Sequence, residues 1–483
     1  MKTSTCFLCC IGLLALGART SARAQTAPTQ QFGSNVPGET GYIDALAGLA
    51  YTDNALLTSG SGKKADGIAA LGIATDYARV GMLSLNLLGN VERLQYLHNT
   101  YPGSFYGQFS GSAVYGKDTD PLQWLLQDSF GEAMTDPLQA PNPLTLQTIN
   151  EVATGPRLNL HFGLTNRLTL SGQYARTTYQ RSPLDSQTFQ GGLDLAHALS
   201  GASYLALEGS FARTEYANLA ELQHFSFGTV SDFDLWQGAL VFNADYVRTS
   251  VRLRAGYNVI DFGHANRKSA PVYQLRVSRQ ISPFSTVFFD IDSSYSMNGA
   301  SLGSANAQIG LQTGALLNPS LAVAQPYNER DGSAGWTFQR ARTTLSLTGS
   351  YRETRYAQPG GPGLNLNHYA EGASVSLGRQ LRPRTSLSLW ARGYIDHYNQ
   401  LHADTRRESF GLSFTQTFFR LSVSFYAERL QQSGSPGASN FVASSYHDDQ
   451  VGLYATYSLF GAPGEGASLN GIPGMGSFMG GGY

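Results

Sequence analysis

The chain has 483 residues and a formal net charge of −1, and only 14% of its residues are charged, against about 25% in soluble domains. The near-neutral balance excludes a polycation built for nucleic acid. Cys6, Cys9 and Cys10 are the only cysteines, so thiolate metal sites and disulfides are excluded from everything that follows them.

In chain order, Lys2 opens a short apolar run from Cys6 to Ala18 that ends at Ala22-Arg23-Ala24. This has the form of a secretory signal over residues 1–24, with cleavage expected before Gln25. The run is too short for a membrane anchor, which needs about 20 apolar residues. Residues 25–40 are rich in Gln, Thr and Pro and are expected to be a flexible leader.

From residue 41 to residue 460 the dominant hydrophobic period is two, the period of strands. Leu168, Leu170 and Tyr174 alternate with Thr169, Ser171 and Gln173; Leu205, Leu207 and Phe211 with Ala206, Glu208 and Ser210; Leu421, Val423 and Phe425 with Ser422 and Ser424. A soluble sandwich also alternates, but these strands look about 10–14 residues long, where soluble ones average about 5–6 and a tilted membrane strand needs about 9–11. Aromatics at apparent strand ends (Tyr51, Tyr96, Tyr106, Tyr115, Tyr179, Tyr216, Tyr356, Tyr398) suggest two interfacial girdles.

Connections alternate short and long. Short ones are read at Asp76–Arg79, Gly116–Pro121, Leu164–Arg167, Leu199–Ala202, Asp245–Arg248, Ile281–Phe284, Gln339–Thr343, Leu381–Arg384 and Thr417–Arg420. Long ones are read at residues 53–64, 97–104, 134–155, 181–187, 217–230, 264–269, 298–332, 357–367, 400–407 and 432–446. The alternation counts to 20 strands, with 18–20 the range expected. The predicted fold is therefore all-β, a single large antiparallel transmembrane β-barrel over residues 41–460. Its last strand, Val451 to Phe460, alternates and stops on an aromatic. Tyr457 and Phe460 are expected to form the insertion signal read by the barrel assembly machinery. Residues 461–483 are Gly-rich and aperiodic, and are expected to be a disordered tail.

Several short motifs carry a family likeness: Tyr51-Thr-Asp-Asn54, Trp124-Leu-Leu-Gln-Asp-Ser-Phe-Gly-Glu-Ala-Met-Thr-Asp-Pro137, Thr154-Gly-Pro156, and the hairpin from Gly378 to Leu389. Together they resemble the beta-barrel porin 2 family, outer-membrane barrels often encoded beside exopolysaccharide genes. The resemblance implies location in the bacterial cell outer membrane. It implies an exopolysaccharide role, with periplasmic export proteins and polysaccharide as partners beside membrane lipid, more loosely.

The polar strand phase is expected to face the lumen, because an Arg facing lipid at mid-depth costs roughly 2–4 kcal/mol. Its candidates are Glu208, Arg252, Arg254, Arg276, Asp290, Asp292, Arg352, Arg392 and Glu428. They could set charge selectivity, or pair with one another and merely fill the wall. Trp390 and Tyr394, with Tyr398 and Tyr426, could stack on sugars or form a girdle. Catalytic signals are weak. Asp128-Ser-Phe-Gly131 has no nucleotide loop beside it, Gly471, Gly474 and Gly476 have no βαβ unit around them, and the histidines lack metal spacing. No enzyme activity, cofactor, metal or nucleic-acid partner is expected. The leading reading is a passive channel for exopolysaccharide or hydrophilic solutes. The alternatives are a non-conducting scaffold for an export apparatus and, last, a barrel-borne enzyme.

Overall fold

Alternation makes one face of each segment apolar and the other polar, so each segment is stable only where its two faces meet different surroundings. A closed barrel in lipid provides that. A computed structural model describes residues 39–117, 119–135, 142–219, 231–263, 267–296, 326–357, 367–399, 402–435 and 445–460. The signal, nearly all of the leader and the Gly-rich tail lie outside these residues.

The described residues form 20 strands: β1 (Glu39–Thr52), β2 (Asp66–Arg79), β3 (Leu83–Tyr96), β4 (Ser104–Tyr115), β5 (Leu122–Met134), β6 (Leu146–Phe162), β7 (Asn166–Tyr179), β8 (Ser186–Ser200), β9 (Ser203–Tyr216), β10 (Phe233–Tyr246), β11 (Thr249–Asp261), β12 (Arg267–Ser282), β13 (Ser285–Ser296), β14 (Tyr327–Arg340), β15 (Thr343–Tyr356), β16 (His368–Arg382), β17 (Thr385–Tyr398), β18 (Ala403–Phe418), β19 (Leu421–Gly434) and β20 (Tyr446–Phe460). Each pairs antiparallel with its neighbours in sequence, and β20 returns to β1 from Asp44↔Ser458 to Thr52↔Gln450. Closure leaves no strand edge to be satisfied in lipid. Nine turns crowd one end of the barrel and ten loops, most of them longer, the other, the alternation that the sequence predicts.

The register carries one division of faces around the wall. In β20, Val451, Leu453, Tyr457 and Leu459 are exposed, whereas Gln450, Tyr454, Thr456 and Ser458 are buried. The exposed, outer phase continues through Leu207, Leu240, Leu389 and Leu412. In the inner phase, side chains from strands that do not pair meet one another. Trp390 on β17 reaches Glu428 on β19, and Tyr426 on β19 packs in one cluster with Ile68 on β2 and Leu94 on β3.

The strands run from 12 to 17 residues, longer than expected. At a tilt of about 40° a 14-residue strand rises about 35 Å, more than the apolar band of about 25 Å. Several strands therefore overrun the lipid at the loop end with both faces polar. That explains three misplaced loops. Residues 327–332 belong to β14, 403–407 to β18 and 267–269 to β12. Asp76–Arg79 is also strand, paired through Tyr42↔Asp76 and Glu39↔Arg79; the turn lies just beyond it, and the barrel begins at Glu39. The expected loop at 134–155 is too long because Thr154-Gly155-Pro156 suggests a break. These residues instead lie within β6, where Pro156 pairs with Trp124, and the ladder to β7 skips Gly155 and Pro156, as proline's missing donor requires.

Position near a strand end also misassigns several aromatics, because phase decides what they touch. Tyr51 and Tyr115 are exposed on the outer phase, but Tyr96, Tyr106, Tyr179 and Tyr398 are buried. Outer aromatics are supplied by Phe105, Trp124, Trp236, Tyr257 and Phe410.

Candidate functional site: the inner wall

The inner wall has two unlike arcs. Across β9 to β15 it is a ladder of charge. Glu208 on β9 lies between two arginines of β11, with Arg254 Nε at 2.9 Å and Arg252 Nη2 at 3.6 Å. Arg276 on β12 donates through Nε to Asp290 on β13 at 2.7 Å. Arg352 on β15 sits between Asp331 at 2.8 Å and Glu329 at 2.9 Å, both on β14. Asp292 stands opposite Asp331 in the register. Further round, Arg392 on β17 donates to Ser409 Oγ at 2.7 Å and to Glu428 Oε1 at 3.3 Å, and Trp390 Nε1 shares that carboxylate at 3.4 Å. Arg407 on β18 lies 3.7 Å from Asp396 on β17.

Each candidate read from the sequence thus stands in the phase opposite the exposed apolar one. The charged candidates, apart from Asp292, form ion pairs: Arg276 with Asp290 and Arg352 with Asp331, directly opposite on neighbouring strands, and the others across one intervening strand. Four members were missed: Glu329 and Asp331, hidden in a stretch read as loop, and Asp396 and Arg407 at the loop end. Extending the period of two through the polar run Tyr327–Asp331 would have recovered the first pair.

Inner aromatics follow a rule of their own. Five of them lie over the glycine directly opposite on the next strand: Phe288 over Gly335, Tyr394 over Gly372, Trp390 over Gly411, Tyr426 over Gly452 and Tyr454 over Gly48. A Cβ at Gly411 would come within 2.1 Å of the Trp390 ring, and one at Gly372 within 2.3 Å of Tyr394. The missing side chain is what lets each ring lie flat against the wall. Trp390, Tyr394 and Phe288 stay partly exposed. Tyr426 and Tyr454 are buried in the second arc.

That second arc, from β19 through β20 and β1 to β4, is packed. Ile68, Leu94, Tyr96, Tyr426 and Tyr454 form one apolar cluster with two loop residues, Ala55 and Tyr101. Tyr101 meets Tyr96 edge-on at 5.2 Å, and burial pushes its hydroxyl up to about 12. The first loop is tied to the last strand. Thr52 donates its hydroxyl to Asp448, and Asn54 Nδ2 donates to the His447 carbonyl and to Thr58 O, each at 2.8 Å. The Asp449 N–H donates to Asp53 Oδ1 at 2.8 Å, and Lys63 lies 3.2 Å from the other oxygen. Burial raises the Asp53 pKa, but these donors outweigh it and hold the carboxyl below its ordinary value. The motif Thr52-Asp53-Asn54 is therefore a clasp across the barrel seam. Among the described residues no group of three or more His, Cys, Asp or Glu is placed to hold a metal.

A closed, even-numbered antiparallel barrel with an apolar exterior and a polar interior defines a membrane-spanning barrel of the bacterial outer-membrane class. No protein family and no curated protein matches the sequence. Among solved structures, the chain is similar to the siderophore receptor PirA from Acinetobacter baumannii, at 11% identity and a TM-score of 0.47 over 87% of this chain and 81% of that one. It is also similar to the copper transporter OprC, at 9% and 0.44 over 89% and 82%, and to the FrpB iron transporter from Neisseria meningitidis, at 6% and 0.40 over 86% and 82%. These likenesses concern the barrel alone.

Proposed function

We propose that the protein is an outer-membrane channel passing hydrophilic solutes, with exopolysaccharide the favoured cargo. The carrying observation is the inner wall from β13 to β17, where Phe288, Trp390 and Tyr394 lie flat on glycines beside Arg392, Asp290 and Arg352. A flat ring suits the apolar face of a pyranose, and neighbouring charges and hydroxyls suit its polar edge. The family resemblance in the short motifs points the same way. Transport would be passive, with direction supplied by a gradient or by periplasmic partners. Residues 1–24 would direct export, and Tyr457 and Phe460 would be read by the assembly machinery.

Single-channel conductance in planar bilayers, with and without polysaccharide fragments, tests this. Steady conductance that the fragments block, and that Trp390→Ala and Tyr394→Ala leave unblocked, is expected. A folded barrel that conducts nothing would overturn it. The packed arc around Tyr96, Tyr426 and Tyr454 favours one second reading, a non-conducting scaffold for an export apparatus.

A further inference from the structure

The turn end carries cations without carboxylate partners. The turn-end segments of β10 to β19 (residues 243–251, 277–287, 336–346, 376–388 and 414–424) hold eight arginines and one acid, Asp245. That acid accepts from Asn243 and Ser250.

Four of the arginines occupy one repeated position, the residue just before the second strand of a hairpin: Arg248, Arg342, Arg384 and Arg420. The carbonyl of each accepts a backbone N–H from the hairpin beyond, from Gln280, Gln380, Thr417 and Ser458 at 2.8 to 2.9 Å. The backbone is thereby fixed, and all four side chains are exposed. The others, Arg279, Arg340, Arg379 and Arg382, are also exposed. Arg279 continues the outer column of Val277, Arg340 that of Trp336 and Phe338, and Arg379 that of Val375 and Leu377. None of the eight lies within salt-bridge distance of a described carboxylate.

Between them stand apolar side chains turned to the surroundings: Val247, Ile281, Leu381, Phe418 and Phe419 are exposed, and Phe284 carries the Arg340 guanidinium 5.4 Å from its ring centre. Long cations at the ends of lipid-facing columns, alternating with protruding apolar groups, match the boundary between acyl chains and headgroups. An acidic protein surface would leave those apolar groups without a complement.

We infer that this arc, from the turn end of β10 to that of β19, is a docking surface for the phosphates of anionic phospholipid headgroups. It rests on the membrane-spanning reading alone, so a barrel that conducts nothing would still show it.

The test uses the purified protein in phosphatidylcholine vesicles with spin-labelled phosphatidylglycerol, phosphatidylcholine or lipid A, reading relative association by electron paramagnetic resonance. Phosphatidylglycerol is expected to be preferred over phosphatidylcholine about three- to tenfold at low salt, and the preference should fall toward unity near 0.5 M salt. Replacing Arg248, Arg342, Arg384 and Arg420 together by Gln should remove most of it, while replacement by Lys should keep it. Heat-dependent gel migration would verify that each variant is folded. Arg406→Gln with Glu408→Gln, a paired site at the loop end, should change nothing. No preference in the parent protein, a preference that survives the Gln variant, or a preference confined to lipid A would overturn the proposal.

Discussion

The two ends of the outer wall solve the same problem differently. At the loop end, most arginines of the outer phase, Arg93 and Arg176 excepted, bring their own counter-ions. Arg213 lies 2.9 Å from Glu215, Arg429 lies 2.7 Å from Asp449, and Arg330 and Arg355 share Glu353. At the turn end, Arg342, Arg384 and their neighbours are exposed with no such partner. The difference shows that a charge near a membrane can be neutralised by the protein or left for the surroundings, and that this chain mostly does the first at the loop end and the second along the turn end of β10 to β19.

The sharpest way to break the comparison is to place a cation between the two ends. Leu389 is exposed on the outer phase at mid-strand. Leu389→Arg should destabilise the barrel by about 2–4 kcal/mol, whereas Leu381→Arg at the turn end should cost under about 1 kcal/mol. Equilibrium unfolding from vesicles in urea reads both, and equal costs would mean that the lipid boundary lies elsewhere.

A second contrast is in side-chain bonding. Asn54→Ala breaks the clasp at the loop end and leaves the His447 carbonyl without its donor, so it should cost about 1–3 kcal/mol. Arg384→Ala at the turn end, which keeps its backbone bond, should stay within about 0.5 kcal/mol. Glu353→Gln would convert the loop end toward the turn end by freeing Arg330 and Arg355. The expected change in stability is about 0–1 kcal/mol, as for exposed pairs, accompanied by a gain in anionic-lipid association.

The smallest effect concerns pH. Asp53 is held below its ordinary value of 3.8, so its contribution is complete above that value and is lost as pH falls through the lower, folded one. Protection of the first loop against hydrogen exchange should therefore weaken as pH falls below 3.8, while the guanidinium-bearing turns show no such step.

Strand number and turn order were legible because alternation and short polar punctuation are local. Strand ends were not. Ala403–Glu408 and Tyr327–Asp331 are polar on both faces because they stand above the lipid, and a period of two cannot be seen where neither face is apolar. The charged inner candidates could be named from phase alone, but their partners depend on register, which pairs Arg276 with Asp290 and sets Arg352 beside Asp331. The ring-over-glycine pairs were invisible for the same reason: nothing near Trp390 in sequence announces Gly411 as its opposite. Tyr51-Thr-Asp-Asn54 could be recognised as a motif, yet its use became plain only when the last strand was seen against it.

That clasp has a consequence in time. Thr52 and Asp448 meet although they stand 396 positions apart in the chain, and β1 finds its second partner only in β20. A chain arrested before Tyr446 would present two raw edges to the bilayer, with Asn54 and Asp53 lacking the groups they grip. The polypeptide therefore cannot settle until its far end arrives, and closing the seam serves as a physical inspection of whether synthesis was finished.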